Sequence, residues 1–210
     1  MTADAQGVID IDIDPLNGTE DVSLGGIAIQ EIDTTFAGIV TADAVNVVRG
    51  VVVGGNASSI QDSDDVDFNI QPGFTINSDE PPAWIEVTGT SPELNPNQLE
   101  LRIESSANTP NIEQIVSAFN YSTGVYDVVD TRNATFNTDG SFDVILSGNA
   151  GDYVNDADGE VKMQITWKPN GFIILFPWTA SLDQAAWIVN DGAAPDRSNC
   201  LLYTSPSPRD

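Results

Sequence analysis

Apolar and polar residues alternate along most of the chain with a period of two. In Val8–Asp14 (VIDIDID) the isoleucines fall on one face of an extended strand and the aspartates on the other. Val66–Ile70 repeats the pattern with different residues. A period of two is typical of a half-buried strand, and no segment carries a helical stripe over three turns. The pattern therefore predicts an all-β chain.

Clusters of turn-forming residues separate the predicted strands, as at Ser122–Gly124 and Thr138–Gly140. Many short strands between turn signals favour a β-sandwich or barrel. Val45–Val53 is too apolar for a strand with one wet face and predicts a buried strand. The strands are predicted at 8–14, 22–32, 45–53, 66–70, 84–88, 99–104, 112–121, 125–130, 134–136, 142–146, 161–167, 172–176 and 184–189.

A domain boundary is predicted at Gly38–Asp43, where the residues are small and polar. Residues 1–43 hold too few strands to bury a core of their own, so they should pair with the main sandwich or with sequence upstream. The sandwich module is expected at residues 44–190, followed by a tail at 191–199 and a distinct segment at 200–210.

Charge and composition exclude several classes of function. The chain has 32 acidic and 7 basic side chains, a formal net charge of −25, no His and one Cys. A nucleic-acid-binding surface needs a basic footprint, which this chain lacks. Catalytic triads with His, His-ligated metals, an internal disulfide framework and Cys-based zinc sites are excluded as well. No apolar run reaches the length needed to insert into a membrane.

The densest acidic cluster is a candidate calcium site. Asp62, Asp64, Asp65 and Asp67 lie within six residues on a predicted loop, and Ca²⁺ takes about six to eight oxygen ligands. The alternative is a solvated turn whose aspartates cap backbone amides. Asn155–Glu160 resembles half of an EF-hand loop but lacks the Glu at its end, and a hairpin turn around Gly159 is the better interpretation.

Aromatic rings supply the second candidate site, a platform for carbohydrate. Tyr121 and Tyr126 flank the predicted Ser122–Gly124 turn, and hairpin tips are exposed. Most other rings have aliphatic neighbours and look like core. Arg132 lies two residues from Asp130, which predicts a structural ion pair.

From about Ala44 to Val189 the chain resembles a β-sandwich module of large secreted proteins from environmental bacteria, planctomycetes especially. The resemblance implies a jelly-roll-like antiparallel sandwich in a secreted, multidomain protein, with no catalytic residue. It rests on these segments: Val48–Gly55, Asp62–Asp65, Pro72–Gly73, Pro81–Trp84, Ala107–Pro110, Phe119–Gly124, Tyr126–Arg132, Trp167–Lys168, Phe176–Thr179, Asp183–Gln184 and Trp187.

Both ends of the chain suggest a gene fragment. Residues 200–210 (CLLYTSPSPRD) are similar to the translation of a transposase sequencing adapter, so we expect them to be foreign to the natural protein. The N-terminus has neither the basic start nor the apolar core of a secretory signal. Either the protein is cytoplasmic or Met1 is an internal start, and the second interpretation fits an extracellular or cell-surface location.

The function predicted from these observations is non-catalytic, since no nucleophile elbow, P-loop or dinucleotide fingerprint occurs. The first hypothesis is a structural, adhesive or spacer module of a larger secreted protein. The second is a calcium- or carbohydrate-binding module attached to a catalytic domain, and the third a phage or virion structural sandwich. Partners would be other domains of the same polypeptide or extracellular carbohydrate or matrix. The predicted function requires no cofactor, and Ca²⁺ is the candidate for a bound ion.

Overall fold

Twelve strands of the described residues form two facing sheets. The computed structural model describes residues 36–77, 79–171 and 176–190, which belong to one compact unit, Asp33–Pro195. The strands are β1 Phe36–Thr41, β2 Ala44–Arg49, β3 Val51–Gly54, β4 Phe68–Gln71, β5 Ala83–Thr90, β6 Gln98–Ala107, β7 Ile112–Asn120, β8 Val125–Asn133, β9 Thr135–Phe136, β10 Gly140–Ile145, β11 Glu160–Pro169 and β12 Ala180–Asn190.

The order of strands within each sheet is far from their order along the chain. The five-stranded sheet runs β2-β5-β11-β7-β8. The seven-stranded sheet runs β10-β6-β12-β4-β3, with β1 also paired to β12 and β9 to β6. All pairings are antiparallel except the short β6–β9 contact. The protein is therefore an all-β, jelly-roll-like sandwich, as the alternation and the resemblance led us to expect.

The alternation of side chains decides which residues face the core. Along β5 and β11 every second side chain is buried between the sheets, and those between them lie on the outer surface. The largest fully buried side chains are apolar, which confirms that most of the tryptophans belong to the core: Trp167, Trp178, Trp187, Ile60, Ile70, Ile85, Leu99, Leu101, Ile103, Ile112, Met163 and Ile165.

The predicted burial of Val45–Val53 is wrong. This segment divides at Gly50, whose φ of +120° favours glycine, into β2 at the edge of one sheet and β3 at the edge of the other. Because each half has a neighbour on one side only within the described sheets, Val51, Val52 and Val53 are 55%, 42% and 51% exposed. An apolar sequence alone does not distinguish an edge strand from a buried one.

The described strand before residue 44 was not predicted. This strand, β1, overlaps the predicted boundary at Gly38–Asp43, and its partner is β12 of the main sandwich. The strands predicted at 8–14 and 22–32 lie outside the described residues, as do residues 191–210 and most of 172–176. Within the described part of the chain, no helix is long and apolar enough to cross a membrane.

Candidate functional site

Three aromatic rings cluster on the outer face of the five-stranded sheet. Ala118 of β7 pairs with Met163 of β11, and both are buried, so the next residue of β7, Phe119, lies on the opposite, outer face. The Phe119 ring makes edge-to-face contacts with Tyr121 at 4.9 Å between centroids and with Tyr126 at 5.0 Å. All three side chains remain partly exposed. Since the core is on the other side of the sheet, these rings are not needed to fill it.

Two carboxylates from the neighbouring strands hold the tyrosine hydroxyls. The Tyr121 hydroxyl donates to Glu160 Oε1 of β11 at 3.0 Å, and the Tyr126 hydroxyl donates to Glu86 Oε2 of β5. Burial raises the pKa of both tyrosines, and the hydrogen bonds to the carboxylates raise it further. The two rings are therefore fixed, neutral hydrogen-bonding groups at neutral pH.

A lysine, Lys162, lies among these groups. Lys162 Nζ pairs with Glu160 Oε1 at 2.8 Å and lies 5.6 Å from the centroid of the Phe119 ring. At this distance a cation–π attraction contributes about 0.5–1 kcal/mol on a wet surface. The arrangement combines apolar ring edges with charged donors and acceptors over a few ångströms.

A polar cleft of about 350 Å³ adjoins the ring cluster at Tyr121. One wall is organised by Asp152, whose Oδ1 accepts hydrogen bonds from Ser122 Oγ at 2.8 Å and from Asn149 Nδ2 at 3.1 Å. Its lining is rich in amides and carboxylates: Asn95, Tyr121, Ser122, Asn149, Gly151, Asp152, Val154, Asn155 and Asp156. Side chains of these two kinds form paired hydrogen bonds with hydroxyl groups.

A larger cleft of about 510 Å³ lies elsewhere and is mainly apolar. Lys168 and Thr75 are its chief polar side chains, and Phe74 and Phe176 at its rim are 87% and 73% exposed. A specific site needs placed polar groups as well as apolar surface. The smaller cleft satisfies this requirement better, because polar side chains converge there beside fixed rings.

The structure brings both predicted ligand-binding residues, Tyr121 and Tyr126, onto one surface. They are less exposed than expected for a hairpin tip, because their rings lie back on Phe119 and their hydroxyls reach Glu160 and Glu86. Phe119, Glu160 and Glu86 were not predicted as part of the site. Alternation along β5 and β11 assigns both carboxylates to an outer face, but their proximity to the tyrosines depends on the strand order.

Most aspartates of the candidate calcium loop lie in an exposed, capped turn. Asp62, Asp64 and Asp65 are exposed, and Asp64 Oδ1 accepts a hydrogen bond from the Val66 amide at 3.1 Å, as expected for a capped turn. In the described parts of the chain, no group of three or more acidic or thiol side chains is arranged to hold a metal. Calcium binding by Asp62, Asp64, Asp65 and Asp67 stays a prediction.

Two local predictions have structural outcomes. Gly159 has the predicted positive φ, +78°, but the turn at Asn155–Glu160 joins a 3-10 helix, Ala150–Tyr153, to β11 and is not a hairpin between two strands. Arg132 forms the expected pair with Asp130, with Nε to Oδ2 at 2.6 Å. Its guanidinium carbon also lies 3.3 Å from the centroid of the Phe142 ring, so the arginine joins β8 to β10 of the other sheet.

No protein-family model matches the chain. No curated protein matches it either. Among solved structures, a CBM4 structure is 10% identical with a TM-score of 0.43, the match covering 74% of this chain and 97% of that one. A family 29 carbohydrate-binding module is 7% identical, with a TM-score of 0.36 and coverage of 68% and 86%.

A third solved structure contains the CBM22-1 and GH10 modules of endo-1,4-β-D-xylanase 10B from Clostridium thermocellum, complexed with xylohexaose. It is 10% identical with a TM-score of 0.37, and the match covers 70% of this chain. The chain spans 24% of that xylanase chain.

Proposed function

We propose that the protein is a non-catalytic module that binds carbohydrate on the outer face of its five-stranded sheet. The observation that carries the proposal is the cluster of Phe119, Tyr121 and Tyr126 on that face, beside a cleft lined by amides and carboxylates. A sugar ring offers an apolar face that stacks on aromatic rings and hydroxyls that pair with amides and carboxylates.

The acidic surroundings favour a neutral glycan. Among the described residues, the carboxylates on or beside the site outnumber the cation Lys162: Glu86, Glu160, Asp152 and Asp156. The net charge of −25 adds a long-range repulsion for polyanions. Uronate-rich or sulfated polymers would therefore be repelled, whereas uncharged hydroxyl-bearing polymers would not.

The carboxylates of the site act as supports in this proposal. Glu86 and Glu160 each accept a hydrogen bond from a tyrosine hydroxyl, and Glu160 is also paired with Lys162. Such contacts orient the rings and leave little freedom for a proton-transfer role. A module of a larger extracellular protein is the setting that the resemblance to secreted modules suggests.

Affinity electrophoresis tests the proposal. Native gels of the full chain containing neutral polysaccharides (xylan, mixed-linkage β-glucan, glucomannan) are compared with gels containing alginate. Phe119→Ala removes the central ring, and Phe136→Ala is the matched control, since Phe136 is 50% exposed on β9 of the other sheet. We expect retardation by a neutral polymer, and an apparent Kd about tenfold weaker for Phe119→Ala only, since a lost ring contact of about 1.4 kcal/mol is a factor of ten.

Two results would contradict the proposal. Equal losses in Phe119→Ala and Phe136→Ala would place binding elsewhere. Absence of retardation in every neutral polymer would remove the carbohydrate role and leave the structural, adhesive or spacer role as the remaining interpretation.

A further inference from the structure

A buried carboxylate lies in the seven-stranded sheet, away from the ring cluster. Asp183 occupies a bulge in β12, where the register with β6 shifts between Leu182 and Gln184. Its side chain is only 1% exposed, and its Oδ1 is buried with no hydrogen-bond partner. Burying an unpaired carboxylate oxygen is costly, so the protein must compensate this group in some way.

Other carboxylates, carried by neighbouring strands and the residues before them, lie near Asp183. Asp67, which directly precedes β4, also has a buried Oδ1 without a partner. Glu104 of β6 is the residue opposite Gln184 at the bulge, and Asp139 before β10 is held by Ser106 Oγ at 2.9 Å. Burial and then the charges of Glu104, Asp67, Asp139 and Asp64 raise the pKa of Asp183 to about 6.

In the part of the chain that the structure describes, no basic side chain forms an ion pair with this cluster. The chief influences on the pKa of Asp183 are burial and the charges of neighbouring carboxylates. The four ion pairs seen in the described residues occupy Arg49, Arg102, Arg132 and Lys162 with other acids: Glu80, Asp143, Asp130 and Glu160, respectively. Among the described residues, the two unpartnered, buried oxygens of Asp183 and Asp67 thus lie near other carboxylates and have no ion-pair partner.

We infer that Asp183 and Asp67 form the inner half of a calcium site, which Glu104 and Asp139 complete together with water. Hard oxygen ligands with net negative charge select Ca²⁺, which accepts irregular sets of about six to eight oxygens, whereas Mg²⁺ demands near-octahedral geometry. The cage is not preformed, because no three acidic side chains among the described residues already stand as a metal-holding group. The exposed Asp139 and partly exposed Glu104 would turn inward on binding.

This site differs from the acidic run predicted as a ligand set. Asp67 is common to both, but Asp62 and Asp65 are exposed in the loop, and Asp64 caps the Val66 amide. The inference also stands apart from carbohydrate binding, because it concerns the other sheet.

Thermal unfolding of the full chain with CaCl2, with MgCl2 and with NaCl at matched ionic strength tests the site, and EDTA serves to reverse it. The variants are Asp183→Asn, Asp67→Asn and Glu104→Gln, and Asp62→Asn is the matched control. At 100 times its Kd, a ligand multiplies the folding constant by about a hundred, which raises Tm by roughly 5–10 °C in a chain of this size. Calorimetric titration with CaCl2 measures the binding itself.

We expect a calcium-specific, EDTA-reversible rise in wild type and Asp62→Asn that is lost in Asp183→Asn and strongly reduced in Asp67→Asn and Glu104→Gln. In EDTA, Asp183→Asn should melt no lower than wild type, since the change removes a repelled charge. If Asp183→Asn does not fold, the calcium-dependent rise in Tm of Asp67→Asn and Glu104→Gln tests the site. A rise no larger than that given by NaCl, an equal rise with MgCl2, or a loss in Asp62→Asn equal to that in Glu104→Gln would overturn the inference.

Discussion

A glycine at a close contact between the two sheets offers a sharp test of the packing. Gly89 of β5 faces Trp187 of β12, and a Cβ added at Gly89 would lie 2.8 Å from Trp187 Cζ3 and 3.0 Å from Val40 Cγ1. Trp187 is 1% exposed and Val40 is 7% exposed, so neither can move aside into solvent. Gly89→Ala should therefore overpack the core.

The magnitude follows from two opposing effects. Overpacking a core costs about 1–3 kcal/mol, and the contact with a rigid indole places this case near the upper end. Replacing glycine by alanine recovers about 0.4–1 kcal/mol by restricting the unfolded chain. The net loss is about 2 kcal/mol, which lowers Tm by roughly 4–8 °C.

Thermal and urea unfolding of Gly89→Ala, compared with the same substitution at a matched glycine, measure this loss of stability. Gly54→Ala is the control, since Gly54 also lies in a strand and its added Cβ would meet nothing closer than Asn69 Nδ2 at 3.4 Å. Trp187→Phe removes Cζ3, so Gly89→Ala combined with Trp187→Phe should lose about 1 kcal/mol less than the sum of the two single changes. Additive losses, or a Gly89→Ala melt no lower than that of Gly54→Ala, would refute this account of the packing.

Two further predictions concern polar groups. Burial and hydrogen bonds to carboxylates raise the pKa values of Tyr121, Tyr126 and Tyr153. Absorbance at 295 nm should therefore show Tyr121 and Tyr126 still protonated near pH 11, so that the signal from the four tyrosines of the chain is complete only when urea is added, and stability should fall as pH rises above the unfolded value of about 10. Ionisation of all four tyrosines in the folded protein near pH 10 would disprove it. Ser105 Oγ of β6 donates to Gln114 Oε1 of β7 at 2.9 Å, joining the two sheets inside the core. Ser105→Ala should lower the free energy of unfolding, measured in urea, by about 1–3 kcal/mol, because it leaves a buried polar group of Gln114 without its partner. The double variant Ser105→Ala, Gln114→Leu should lose less. A double variant less stable than Ser105→Ala would contradict this explanation.

Strand positions were predictable because alternation is a local property. β7 was predicted at 112–121 and occurs at Ile112–Asn120, and β11 was predicted at 161–167 and occurs at Glu160–Pro169. In both strands every second side chain meets the opposite sheet, so the buried positions show in the sequence as a period of two. The Arg132–Asp130 pair and the Gly159 turn were predictable for the same reason, since their partners lie within a few residues.

Burial of Val45–Val53 was not predictable, because it depends on what lies beside the strand. A run of valines predicts extended backbone equally well in the middle and at the edge of a sheet. The turn at Gly50 and the absence of a second neighbour for β3 in the described sheet are properties of the assembled sandwich.

The sequence by itself determined the class of fold, the positions of most strands, the acidic surface and the choice of Tyr121 and Tyr126 as ring candidates. Tertiary structure alone decided which carboxylates meet them. Glu86 lies 40 residues from Tyr126 along the chain, and the order β5-β11-β7-β8 brings them together. Asp183 and Asp67 likewise come near each other through the pairing of β12 with β4, in which the adjacent residues Leu182 and Phe68 are partners. The alternation of apolar and polar residues is a property of each strand's own sequence, whereas the pairing of strands depends on the burial of the whole core.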